Sequence, residues 1–383
     1  MNFYFLVSLL IGEIYCNYIV ILRENESFEH FMTYDTSYLI DLQIQQSVKS
    51  SFHIGTLKGF SGNFSNDRLK RLSKCPMVEE IIPDITVEAF DVHYQMFAPR
   101  HLARVSRRRR MLPIRIYPFI YDRDHSGMQV NAYVIDSGID IGNPEFEGRA
   151  KFGQDFSNEG QGDFNGHGTH VAGLIGSATY GTSKNVDLID VKALNSKGTA
   201  SLSIIISALE FAVNHRLRSG KPGVTNLSFG AFQNDILNRA VEQASSTGMI
   251  FVVAAGNSNI DACLMSPASS STAITVGAID DFTDTISSFS NWGPCVDLFA
   301  SGSNVRSVDF KNFYTSSILS GTSMSSPIVA GIVANFLSNG FEPDQIKDQL
   351  IRTATKDRIS RASLYFKPET SNRIAYLEVE KKS

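Results

Sequence analysis

Four cysteines in 383 residues, Cys16, Cys75, Cys263 and Cys295, are too few for a disulfide framework and lack the paired spacing of a zinc site. Charge is also scarce: 35 Lys and Arg stand against 39 Asp and Glu, and charged residues make up only 19% of the chain. A net charge of −4 exerts no general pull on nucleic acid or membranes. No nucleic-acid partner is therefore expected, and any partner must be found by local chemistry. No repeat with a period of about 20 to 50 residues is visible. What is present is 43% hydrophobic, a composition that excludes collagen, coiled coil and wholesale disorder. The length suits two or three folded units with cores large enough to need no staples.

Residues 3 to 12, FYFLVSLLIG, form an apolar run of signal-peptide length followed by small or polar positions around Gly12 to Asn17. A cleaved signal at residues 1–16 is expected. The rival reading, one membrane anchor running on through NYIVIL, places Glu13 near its middle at a cost of about 2.5 kcal/mol or more. The sequons at Asn25 and Asn63 are compatible with export. From Tyr18 to about Phe90 the pattern reads β-α-β-β-α-β, a small α+β unit. A basic, proline-flanked junction comes next. Beyond Val130, buried apolar strands alternate with helical patterns, the mark of a parallel α/β sheet. Strands are expected at Val130 to Asp136, Val186 to Leu194, Val224 to Ser228, Met249 to Ala254 and Ala273 to Ala278. Helices are expected at Gly168 to Ser177, Ser201 to Arg216, Asn234 to Thr247 and Ser325 to Asn339. In such a sheet, ligands bind beyond the carboxyl ends of the strands.

Three polar residues stand at those ends. Asp136 closes the strand NAYVID, where an unpaired carboxylate would be costly. His167 opens a small-residue helix in NGHGTHVAG, with His170 one turn on as a packed neighbour. Ser323, in SGTSMSSP, sits at the mouth of a buried helix whose amides favour developing negative charge. Each alone passes as a turn former, a metal ligand or an N-cap. Together they supply a nucleophile, a base and a carboxylate to orient the base.

The order Asp, His, Ser, with the motifs DSGI, HGTHVAG and SGTSMSSP, resembles the subtilisin-like serine proteases, and in particular the proteinase K and cerevisin group. That resemblance implies a three-layer α/β fold with a mainly parallel central sheet, preceded by a small ferredoxin-like domain of the inhibitor-type propeptide class. It assigns an oxyanion-hole role to Asn257 in AAGN, beside the Ser323 backbone N–H. It makes Ser228, Phe229 and Gly230 one wall, and Ala254, Ala255 and Gly256 the other, of an apolar pocket for the residue before the scissile bond. Gly198, Thr199 and Ala200 match an exposed strand along which the peptide lies. A structural calcium would be held by Ser271 and Ala273 carbonyls near Asp297, with no cofactor required for the chemistry. The flanks of Cys263 and Cys295 imply a disulfide between them, which leaves Cys75 as a core thiol.

There are departures from the family pattern. Ile328 replaces a usual His, Arg100-His101 replaces Trp-Gly, and the run Arg107 to Arg110 reads either as solvated surface or as a processing site. The expected organisation is signal 1–16, propeptide 17–92 and catalytic domain 93–383. The expected function is a secreted, monomeric serine endopeptidase with a preference for apolar or aromatic residues before the cut. Its partners would be protein or peptide substrates and its own propeptide as intramolecular inhibitor, with no membrane span after signal removal. The alternative is a catalytically silent secreted binding protein that keeps its propeptide.

Overall fold

Residues 131 to 136 are buried along their whole length, as a strand covered on both faces must be. In the computed structural model, which describes residues 17–33, 42–84, 92–112 and 116–379, this strand lies inside a ten-stranded sheet. From one edge the order runs Ala150–Asp155, Asp187–Lys192, Asn131–Asp136, Gly223–Leu227, Ile250–Ala254, Ile274–Asp280, Leu298–Ser301, and then the short strands Arg373–Ile374 and Thr355–Lys356; the tenth, Thr285–Ile286, pairs antiparallel with the end of Ile274–Asp280 outside this order. Every pairing from Ala150–Asp155 to Arg373–Ile374 is parallel. The strands that come after Asn131–Asp136 in the chain lie first on one side of it and then on the other. Asp136 therefore ends the strand at the topological switch point, where an open α/β sheet forms its crevice.

Alternation along the strands divides the core in two. Ala132 and Val134 join Val171, Leu174, Ile328 and Ile332 of the helices His167–Gly176 and Thr322–Ser338. Tyr133 and Ile135 face Ile205, Leu209, Leu237 and Val241 of the helices Leu202–Ser219 and Asp235–Ser245. Those two helices start where side chains can satisfy their first amides. Ser201 accepts from Ile204 N at 3.4 Å and Asn234 from Leu237 N at 3.0 Å. The result is the three-layer subtilisin-like arrangement. Ile328 is completely buried in it, so an apolar side chain suits that position.

The chain divides into two compact units, one ending at Ala89 and one starting at Phe90. In the first, the antiparallel strands lie in the order Val48–Ile54, Leu57–Asn63, Asn17–Leu22, Val78–Pro83, with Phe31, Phe60, Leu72 and the free thiol of Cys75 in the core. This is the small α+β unit expected from the pattern. Residues 1–16, expected as the signal, lie outside the described residues.

The second unit holds its own first strand, Val92–Gln95, by antiparallel pairing with Phe119–Asp122. Arginines pin the segment between these two strands. Arg100 Nε bonds Asp281 at 2.7 Å, and fully buried Arg104 bonds Asp284 at 3.0 Å. The run from Arg107 is exposed in part yet docked: Arg107 stacks on Tyr117, Arg108 donates to the Thr353 carbonyl at 2.8 Å, and Arg110 donates to the Phe282 carbonyl at 3.0 Å. A disulfide joins Cys263 and Cys295, whose Cα atoms are 5.3 Å apart.

Candidate active site

Asp136 is fully buried, and its Oδ1 accepts from Ser137 N and faces His167 Nδ1, both at 2.8 Å. The loop after Asp136 and the start of the His167 helix meet closely. A Cβ on Gly168 would lie 2.2 Å from the Gly138 carbonyl oxygen, so only glycine fits there. Asp163 clamps this junction. Its carboxylate accepts from Ser137 Oγ, from the amides of Asn165, Gly166 and Thr169, and from Thr169 Oγ1. The sequence reading missed Asp163, although a carboxylate just before a helix start is a signal for such a clamp.

Burial disfavours the charged form of His167, but Asp136 and then Asp163 outweigh it and raise its pKa above the usual 6.5. His170 behaves differently. It is buried, its Nε2 meets the Val305 carbonyl at 3.2 Å, and burial lowers its pKa to about 3. The two histidines thus have separate partners, and His170 is packed in the core as expected.

Ser323 is the second residue of the helix Thr322–Ser338, which starts earlier than the sequence suggests. Pro327 consequently lies in its second turn, where it has no N–H to give the Ser323 carbonyl. Ser228 Oγ donates to that carbonyl instead, at 3.0 Å. Ser323 Oγ donates to the Ser228 carbonyl at 2.9 Å, and among the described residues no hydrogen bond joins it to His167.

Asn257 lies beyond the strand Ile250–Ala254. Its Oδ1 accepts from Thr322 N at 2.8 Å and Thr322 Oγ1 at 2.9 Å, which leaves its NH₂ as the outward donor. A Cβ built on Gly321 would stand 3.3 Å from Asn257 Nδ2 and 3.6 Å from Ser323 N. The two donors therefore flank one small space that a side chain at 321 would crowd.

The residues expected as pocket walls carry no charged side chain. Ser228, Ala254 and Ala255 are buried, Phe229 and Gly256 are half-buried, and Gly230 is exposed. Gly256 has φ +102°, and a Cβ there would meet Asn291 Nδ2 at 2.4 Å. Buried Asn291 supports this wall by donating to the Ala255 carbonyl and accepting from Ser258 N and Ile260 N. A lone Asn in a polar loop carries no periodic signal, so the sequence reading did not find it. Gly198, Thr199 and Ala200 are exposed but form a turn closed by Asn195, not a strand. Glycine at φ +76° and the Asn195 side chain favour that turn over extended pairing.

The groups expected to hold calcium have other partners in this structure. Lys347 Nζ donates to the Ala273 carbonyl at 2.8 Å and pairs with Asp297 Oδ2 at 3.1 Å, while Ser271 N and Oγ turn to Glu242. A lysine ammonium thus bonds two of the three groups assigned to the ion, the Ala273 carbonyl and the Asp297 carboxylate.

The subtilase family model matches residues 129–373, and the peptidase inhibitor I9 model matches residues 17–90. Subtilase-type proteinase RRT12 of Saccharomyces cerevisiae is 41% identical over 98% of this chain and 85% of its own length. Cerevisin of the same yeast is 38% identical over 81% of this chain, which spans about half of it, 52%. A crystal structure of a cold adapted subtilisin-like serine proteinase is 38% identical and superposes with a TM-score of 0.67 over 74% of this chain and all of its own. Family match, relatives and fold agree with one another, and the chain belongs to the subtilase family of serine endopeptidases, with an I9-type inhibitor domain preceding the catalytic one.

Proposed function

We propose that Ser323 is the nucleophile, His167 the general base and then acid, Asp136 the group that orients His167, and Asn257 the side-chain donor to the oxyanion. The observation that carries this reading is the 2.8 Å Asp136–His167 bond at the switch point, taken together with the two amide donors that flank one space at Gly321. Ser323 Oγ leaves the Ser228 carbonyl, passes its proton to His167 Nε2 and attacks the substrate carbonyl. The resulting oxyanion is met by Asn257 Nδ2 and Ser323 N. On collapse the C–N bond breaks and His167 gives the proton to the leaving amine. Water, deprotonated by His167, then hydrolyses the acyl ester and frees Ser323.

The uncharged walls at Ser228 to Gly230 and Ala254 to Gly256 accept an apolar or aromatic side chain before the scissile bond and offer no carboxylate to select Lys or Arg. The peptide passes the exposed turn at Gly198 to Ala200 without pairing there as an added strand. Residues 1–16 act as an export signal, 17–92 as an inhibitory propeptide and 93–383 as the secreted catalytic domain. The I9 match supports the inhibitor role, and no described helix is long and apolar enough to cross a membrane. Digestion of a peptide library by the matured protein tests this reading. Cleavage after apolar and aromatic residues, absent in Ser323→Ala, is expected. Strict cleavage after Arg or Lys would overturn the pocket assignment.

A further inference from the structure

The residues expected to bind calcium do not fit that ion, and the reason lies in a helix beyond them. Calcium takes six to eight oxygens at about 2.3–2.6 Å. Here the Ala273 carbonyl and Asp297 Oδ2 receive the Lys347 ammonium at 2.8 and 3.1 Å, and the same Oδ2 also accepts Thr275 N at 2.9 Å. The third group assigned to the ion is the Ser271 carbonyl, on a residue whose amide and hydroxyl both bond Glu242. A divalent cation placed among these oxygens would stand against a fixed positive charge.

The lysine is placed to do structural work. Ala273 immediately precedes the strand Ile274–Asp280, and Asp297 immediately precedes its parallel neighbour Leu298–Ser301. Asp297 N also donates to the Thr275 carbonyl at 3.0 Å, which holds the two strand starts together. Lys347 is the second residue of the helix Ile346–Thr353, so its ammonium ties both strand starts to that helix. Three donors on a flexible stem suit one carbonyl and one carboxylate.

We infer that Lys347 is the resident cation of this position, a tethered ammonium standing where the family resemblance leads one to expect calcium, and that the protein is stable without that ion. The consequence is functional: the fold withstands calcium-poor or chelating surroundings.

The test uses the full chain carrying Ser323→Ala, which prevents self-digestion, with apparent Tm read at one scan rate. The parent should melt at the same temperature in EDTA and in excess calcium. Lys347→Met, which keeps the stem and removes the charge, should lower Tm by about 2–4 °C. In an Asp297→Asn background the same exchange should cost less than half as much. A parent Tm that rises saturably with calcium would overturn the inference, since that is the signature of ion binding to the folded state. An equal drop in both backgrounds, or no drop, would also overturn it. Should Lys347→Met fail to fold, the parent's calcium response and the Lys347→Arg variant, expected to stay calcium-independent, still decide.

Discussion

His167 sets the pH dependence of the proposed reaction. Only its neutral ring can take the Ser323 proton, and the Asp136 and Asp163 carboxylates hold on to the imidazolium despite burial. A raised pKa moves the acid limb upward, so kcat/KM should climb with pH through a midpoint above 6.5. A midpoint below 6.5 in a pH–rate profile would contradict the electrostatics of this pair. Asn257→Ala should lower kcat by about 10²–10³ and leave KM nearly unchanged, because the lost bond is made mainly in the transition state. Steady-state kinetics decide, and a loss confined to KM would remove Asn257 from the oxyanion hole. Thr322 reaches the same chemistry indirectly. Its hydroxyl donates to Asn257 Oδ1 and accepts from Gly256 N at 3.1 Å. Asp136, His167 and Ser323 were legible because each closes a recognisable strand or opens a helix. Thr322 and Asn291 were not, because their importance lies in contacts with segments far apart in the chain, whereas the local signal of Asp163 before the His167 helix was there and was overlooked.

At the scale of elements, the strand Asp187–Lys192 carries an unusual group. Asp190 is fully buried, and desolvation raises its pKa from 3.8 to about 7 despite the Ile139 amide and Lys192; Asp163 and Asp155 add to the rise. A value raised in the folded state means that the native protein holds this proton longer than the unfolded chain. The stability it contributes is complete below about pH 3.8 and is lost as pH climbs through about 7. Asp190→Asn should therefore melt higher than wild type at pH 8 and show little advantage at pH 4. Thermal scans at the two pH values check this, and an equal shift at both would show that the ionised carboxylate is not the cause. The five strands expected from the sequence are all present, with ends moved by no more than two residues, because their apolar runs are buried on both faces. Ala150–Asp155 escaped notice as an edge strand with exposed Lys151, a half-exposed Gly153 and Phe152 41% exposed. Leu298–Ser301 was too short, at four residues, to show a period. The turn at Gly198 was misread as a strand because the pattern does not reveal the Asn195 side chain that closes it.

At the scale of the whole molecule, two compact units and the Cys263–Cys295 disulfide frame the proposed maturation. Closing the 32-position loop between Cys263 and Cys295 should stabilise the fold by about 3 to 4 kcal/mol on the loop-entropy model. Reduction, or Cys263→Ser, should accordingly lower Tm, and an unchanged Tm would contradict that contribution. If the first unit is cut from the second by the enzyme itself near Val92–His93, the reaction is intramolecular and its rate is independent of concentration. Ser323→Ala expressed alone should then keep residues 17–92 attached, whereas an N-terminus near His93 in that variant would assign the cut to another protease. The two-unit division was legible from the change of pattern near Phe90. The docking of Arg107, Arg108 and Arg110 was not, since a basic run looks the same whether it is solvated or stacked on Tyr117 and Tyr376. Every step of the proposal passes through an activated Ser323, so the most direct measurement is mass-spectrometric mapping of a fluorophosphonate probe on the matured protein. The expected result is a single adduct on Ser323 that forms faster as pH rises and is lost in a folded His167→Ala variant. A folded, matured protein that leaves Ser323 unlabelled, or labels it equally well without His167, would contradict the triad.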